Sequence, residues 1–277
     1  MSPNTVSAAP ALTVFVDGIG LLGPGIAGWS LGRQFLAGDL PYQNARTVLP
    51  LPMALPAAER RRAGAVVKVS LAVGQEAVEA SGWPARTLPS VFTSSSGDAI
   101  NCHEICSALA SSDRLISPTR FHNSVHNASS GYWSISTGAM ATSSVLCAHD
   151  ASFSAGLLEA AAQAVLDNTA VLLVAYDTDY PEPLRSARPL PDTFGVALVL
   201  APRRSQRSLA QWTLAPASCL TSAAADVMTD STLENLRAAI PAARCLPLLQ
   251  SVATHSDATV VLDYLVGLQL AVQVARC

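Results

Sequence analysis

A chain of 277 residues that is half apolar, only 13% charged and of formal net charge −3 can bury a large core but has little charge left for its surface. No basic footprint for nucleic acid is present, and the composition implies that part of the exterior is hidden against another subunit. The N-terminus has no basic leader and its first apolar run is broken by Asp17 and glycines, so a cytoplasmic location is expected.

"ALTVFVDGIGLLGPG" reads as a strand ending in a glycine-rich turn. Its Gly18-x-Gly20 pair lacks the third glycine and the later acidic residue of a dinucleotide fingerprint. "PAAERRRAGAVVKVSLAVGQEAVEASG" has the alanine-rich 3.6-residue period of a helix stopped at Gly82. "SVFTSSSGD" is a buried strand entering a turn; lacking a Lys-Ser/Thr pair, that turn is not a phosphate loop. "AINCHEICSALAS" follows as a helix, "TSSVLCAHD" as a short buried strand and "ASFSAGLLEAAAQAVLDN" as a helix. "TAVLLVAYDT" is a second buried strand, "PEPLRSARPLPDT" a proline-rich loop, and "FGVALVLAP" with "RSLAQWTLAP" a strand pair. The oily "ATVVLDYLVGLQLAVQV" carries Asp263, Gln269 and Gln273, so it is expected to be a buried or interfacial helix and not a membrane span. Alternating apolar strands and small-residue helices predict an α/β layer fold with a mostly parallel sheet covered on both faces.

"FHNSVHNASSGYWSISTG" gathers unusual chemistry for this chain. His122 and His126 are one helical turn apart, the spacing of two metal ligands on one face. A zinc motif wants a glutamate directly after the first histidine, Asn123 stands there, and no third ligand is indicated, so no metal or other cofactor is expected. The six cysteines follow no zinc pattern; Cys102 and Cys106, four apart, read as reduced thiols.

The stretch "GYWSISTGAMATSSVLCAHD" with the helix and strand after it resembles the β-ketoacyl synthases of the thiolase fold, with Gly131 and Gly138 in register with two family glycines. The arginine-rich helix start at Arg60-Arg61-Arg62, "SVFTSSSGD" and "FGVALVLAP" agree with it. "SVHNASSGYWSI" is similar to a short ketosynthase-like family found beside aryl polyene and polyene pigment genes, whose members look like chain-length-factor partners of a full ketosynthase. The resemblance implies a layered α-β-α thiolase-like fold, with residues 12–202 as the first half of a ketosynthase and 203–277 as a short divergent extension of one domain.

It also implies that the strand-to-helix elbow, where a ketosynthase carries its nucleophilic cysteine, holds Asp150. A carboxylate is a poor acyl acceptor, whereas a thiolate at a helix N-terminus is activated there. Asp150 suits instead the N-cap of a helix starting at Ala151. Neither of the family's two catalytic histidine motifs is found after Pro202, where the single histidine is His255. The resemblance therefore implies a non-catalytic chain-length factor that pairs with a full-length ketosynthase, works on acyl carrier protein and shapes the acyl tunnel. His122, Asn123, His126, Asn127, Tyr132 and Trp133 would lie along the subunit contact and tunnel mouth, and Trp133 or Phe153 would set where the chain stops. Two alternatives stay open: an active acyltransferase or synthase using Cys147 with His149, and a carrier-protein-binding module using Arg60 to Arg62.

Overall fold

The computed structural model describes residues 11–218 and 224–277. In chain order it forms β1 (Leu12–Leu22), α1 (Trp29–Ala37), α2 (Ala57–Arg62), α3 (Ala65–Ser81), β2 (Ser90–Thr93), α4 (Ala99–Ala110), α5 (Pro118–Asn123), α6 (Ala128–Thr137) and β3 (Ser143–Leu146). Then come α7 (Ser152–Leu166), β4 (Val171–Asp177), α8 (Leu184–Ala187), β5 (Phe194–Ala201), β6 (Ala210–Ser218), α9 (Ser231–Ala239), α10 (Leu246–Ala253), β7 (Ala258–Asp263) and β8 (Leu268–Arg276). The strands make one eight-stranded sheet in the order β3-β2-β4-β5-β1-β6-β8-β7.

Helices cover both faces, and the strand period of two sorts the side chains between them. Along β5, Val196, Leu198 and Leu200 enter the core under α7 and α10, while Ala197 and Val199 enter the core under α3 and α6. The second core is closed by an unusually near approach of α3 to β1. A Cβ on Gly18 would sit 2.1 Å from the Ala77 carbonyl oxygen, and one on Gly20 would sit 1.9 Å from that of Val73. These glycines therefore lie inside a strand that runs on to Leu22, and not in the turn expected of them; their role is close backbone approach. Asp17 sits at the register shift between Val16 and Gly18 and is satisfied there by Trp83 Nε1 (3.0 Å) and Ser208 Oγ (2.7 Å).

The sheet is mixed, not mostly parallel: β2 pairs in parallel with β3 and β4, whereas the β4–β5, β5–β1, β1–β6, β6–β8 and β7–β8 pairs are antiparallel. The helical stretch expected over Arg60 and beyond breaks between α2 and α3 at Ala63–Gly64, where the backbone is extended. The largest departure is "ATVVLDYLVGLQLAVQV", which is the β7–β8 hairpin and no helix. Its apolar residues alternate, Val260 and Leu262 facing the core with Leu270, Val272 and Val274, and Gly267 turns the chain at φ 79°. No helix among the described residues is long and apolar enough to cross a membrane.

Candidate functional site

Parallel β2, β3 and β4 end on the same side of the sheet, where ligands of open α/β sheets gather. Three loops meet there. Ser95 N donates to Asp177 Oδ1 at the end of β4 (2.8 Å), and Cys147 Sγ, just past β3, donates to the Ser95 carbonyl (3.2 Å). His126 Nε2 lies 3.0 Å from the Leu146 carbonyl, which as a pure acceptor places the ring proton on Nε2.

Asp177 is buried, and Ala242 N donates to its second oxygen (2.9 Å). Burial pushes its carboxyl above the usual range, while the donors on Ser95 and Ala242 and the charge of Arg188 pull the other way. It thus joins β2, β4 and the 3-10 segment Pro241–Cys245.

The elbow itself is the 3-10 turn His149–Ala151, with His149 in the left-handed region at φ 51°. Ser152 holds the bend: its Oγ accepts from Ala148 N (3.0 Å) and donates to the His149 carbonyl (2.7 Å). The helix that follows starts at Ser152, its N-cap position is Ala151, and no side chain caps it. Asp150 is therefore not the N-cap expected. Its carboxylate points instead to two arginines from distant parts of the chain, Oδ1 to Arg188 Nη2 and Oδ2 to Arg244 Nη2 (3.1 Å). His149 Nδ1 stands 3.5 Å from Asp150 Oδ1.

Cys147 is exposed, against the expectation of a buried thiol, because β3 is the sheet's edge strand and ends one residue earlier. It bonds to Ser95, while His149 turns its ring to Asp150; the two are not hydrogen-bonded to each other.

His122 and His126 do not share a helix: α5 ends at Asn123 and His126 lies in the turn before α6. Asn123 is buried, donates to the Arg62 carbonyl (2.9 Å) and accepts from Tyr132 Oη (3.1 Å), both within its own chain. Trp133 and Phe153 are fully buried in opposite core layers, Trp133 against Gly74. His122, Asn127 and Tyr132, by contrast, border an open groove of about 490 Å³ with Phe121, Val125 and Ile135. Those last three are exposed apolar side chains, Phe121 on α5, Ile135 on α6 and Val125 in the turn between them. Neither Arg188 nor Arg244 stands out in the sequence. A guanidinium within the proline-rich "PEPLRSARPLPDT" is the nearest thing to a signal for the first, and the second has none.

The profile of the beta-ketoacyl synthase, N-terminal domain, family matches residues 37–259, and the chain belongs to that family. No curated protein sequence matches it. Among solved structures it is similar to the ketosynthase (ApeO) in complex with its chain length factor (ApeC) from Xenorhabdus doucetiae, with 20% identity and a TM-score of 0.70 over 95% of this chain and 99% of that one. It is likewise similar to the ishigamide ketosynthase/chain length factor, with 12% identity and a TM-score of 0.70 over 96% and 99% of the two chains. A beta-ketoacyl synthase from Burkholderia phymatum STM815 shares 13% identity and a TM-score of 0.55, with 88% of this chain covering 71% of that one. The fold is thus the thiolase-like layered α-β-α fold of ketosynthases and chain length factors, matched end to end in the first two and only in part in the third.

Proposed function

We propose that this chain is a non-catalytic chain-length-factor subunit that pairs with a full-length ketosynthase. It would form one wall of the tunnel in which a polyene, polyketide or fatty-acid-type chain grows on acyl carrier protein in the cytoplasm. The observation that carries the reading is the elbow: where the family resemblance puts a nucleophile, the structure has Asp150 engaged by Arg188 and Arg244. A carboxylate whose two oxygens are held by guanidinium groups is turned away from attack on a thioester. The whole chain acts as one ketosynthase-like domain, residues 12–202 carrying the family pattern and 203–277 the divergent part.

The groove of Phe121, Val125 and Ile135 supports the pairing, since a contiguous apolar patch beside an open strand edge is costly in water. Phe121 and Tyr132, which border this groove, would join Trp133 and Phe153 as the bulky groups that limit chain length, by steric blocking rather than by per-methylene affinity. On co-expression with a cysteine-bearing ketosynthase of a polyene system, the two chains are expected to co-elute in size-exclusion chromatography. Phe121→Glu with Ile135→Glu is expected to weaken that pairing at least about 100-fold, as hot-spot truncations do. A chain that stays alone with every ketosynthase offered sinks the proposal.

The exposure of Cys147 favours one second reading, an acyl-transferring thiol. Incubation with an acyl thioester followed by intact-mass measurement decides it: the proposal expects no adduct, and an adduct lost in Cys147→Ala would establish the enzyme.

A further inference from the structure

We propose that Arg188 and Arg244 form a carboxylate seat which Asp150 fills from within the chain, and that this filled seat locks the strand-helix elbow to the C-terminal third of the fold. The seat is bridging: each guanidinium takes a different oxygen of one carboxylate. Its three members come from three places, the elbow turn, the loop between α8 and β5, and the 3-10 segment Pro241–Cys245. Arg188 lies 38 residues from Asp150 in sequence and Arg244 lies 94. Only the folded arrangement brings them together.

Both arginines are held by groups other than Asp150. Arg188 Nη1 donates to Tyr180 Oη (3.0 Å) and its guanidinium carbon lies 5.8 Å from the centre of the Tyr180 ring. Arg244 Nη1 faces Asp263 at 3.9 Å, at the end of β7. The Asp263 carbonyl accepts from Ser154 Oγ on α7 (2.6 Å), so the hairpin and the elbow helix are also tied side by side. The seat would therefore persist if its occupant were removed.

The side chains of Arg188 and Arg244 are 24% and 21% exposed, too little for water alone to replace the lost anion, while Asp150 at 42% stands at the outer side. Beside it opens a cavity of about 340 Å³ lined by Asp150, Arg188, Leu190, Ala238 and Pro241, wide enough to admit a small anion. An emptied seat is thus a site for a free short carboxylate. This inference does not depend on the chain-length-factor reading, because its test needs no ketosynthase and no acyl substrate.

The experiment is thermal unfolding of the full-length Asp150→Ala protein at pH 7, in sodium formate and in sodium chloride of equal ionic strength. In chloride the midpoint is expected to fall by roughly 4 °C or more relative to wild type. Formate is expected to raise it again by roughly 2 °C or more, while leaving wild type unmoved. Adding Arg244→Gln to Asp150→Ala should abolish the formate effect. An Asp150→Ala midpoint equal to wild type, or equal responses to formate and chloride, overturns the proposal. If Asp150→Ala does not fold, Asp150→Asn and Arg244→Gln are compared singly and together. Losses that fail to add support the seat, and fully additive losses overturn it.

Discussion

Gly20→Ala is expected to cost more than about 4 kcal/mol, a large share of the roughly 5–15 kcal/mol that holds a domain together, and to remove most of the soluble protein. The added methyl would lie 1.9 Å from the Val73 carbonyl oxygen and 2.8 Å from its carbon. Those are backbone atoms in the middle of α3, so no side-chain rotation relieves the overlap; the helix must move away from β1. Moving it would reopen the core in which Val67, Val69, Leu71 and Val73 are buried against the sheet, and would unseat Trp133 from Gly74. Gly131→Ala is the matched control. Nothing stands within 4 Å of its would-be Cβ, and the position is helical, so alanine there should stabilise by about 0.5–1 kcal/mol. Urea unfolding of both variants decides the matter; a Gly20→Ala protein with the wild-type midpoint would show that α3 does not pack as described.

The difference between these two glycines marks how far local pattern reaches. The strands "TAVLLVAYDT" and "FGVALVLAP" were readable because every residue of β4 and β5 is buried, leaving unbroken apolar runs of strand length. The direction of pairing was not readable. Alternating helices and strands imply crossovers and parallel neighbours, but β4 returns directly as β5, and β1 finds its partners more than a hundred residues away. In the C-terminal hairpin, an apolar run with three polar residues fits a helix stripe and a strand alternation almost equally well; only Gly267 at a positive φ and the pairing to β6 decide it. A strand-to-helix bend does form at His149–Ala151, but the bonds made by Asp150 were not readable, for the same reason. A cap is a local bond that sequence can suggest, whereas Asp150 bonds to residues from two other loops. The histidine pair failed by one turn of chain: Ser124 ends α5, and His126 passes to the carbonyl of Leu146.

Asp177→Ala should be the most damaging change outside the glycine contacts. It removes the acceptor of the Ser95 and Ala242 N–H groups, both in buried surroundings, and each orphaned donor costs about 1–3 kcal/mol. It also unties β4 from the 3-10 segment that carries Arg244, so, added to Asp150→Ala, it should weaken the formate response of the emptied seat. Asp177→Asn separates charge from shape. Because burial holds the folded-state carboxyl above its unfolded value, the folded protein binds a proton there more readily than the unfolded chain does. The stability that follows is complete below the unfolded value near about 3.9 and is lost as pH rises through the raised folded value. Asparagine has no such titration. Raised carboxyls at Glu76 and Asp98 act in the same sense, but they are common to both proteins and cancel in the difference. Between pH 4 and pH 7.5 the advantage of wild type over Asp177→Asn should therefore shrink as pH increases. An advantage that grows with pH would mean that the two N–H donors and Arg188 outweigh burial, and that this residue is held as a preferred anion instead of a reluctant one.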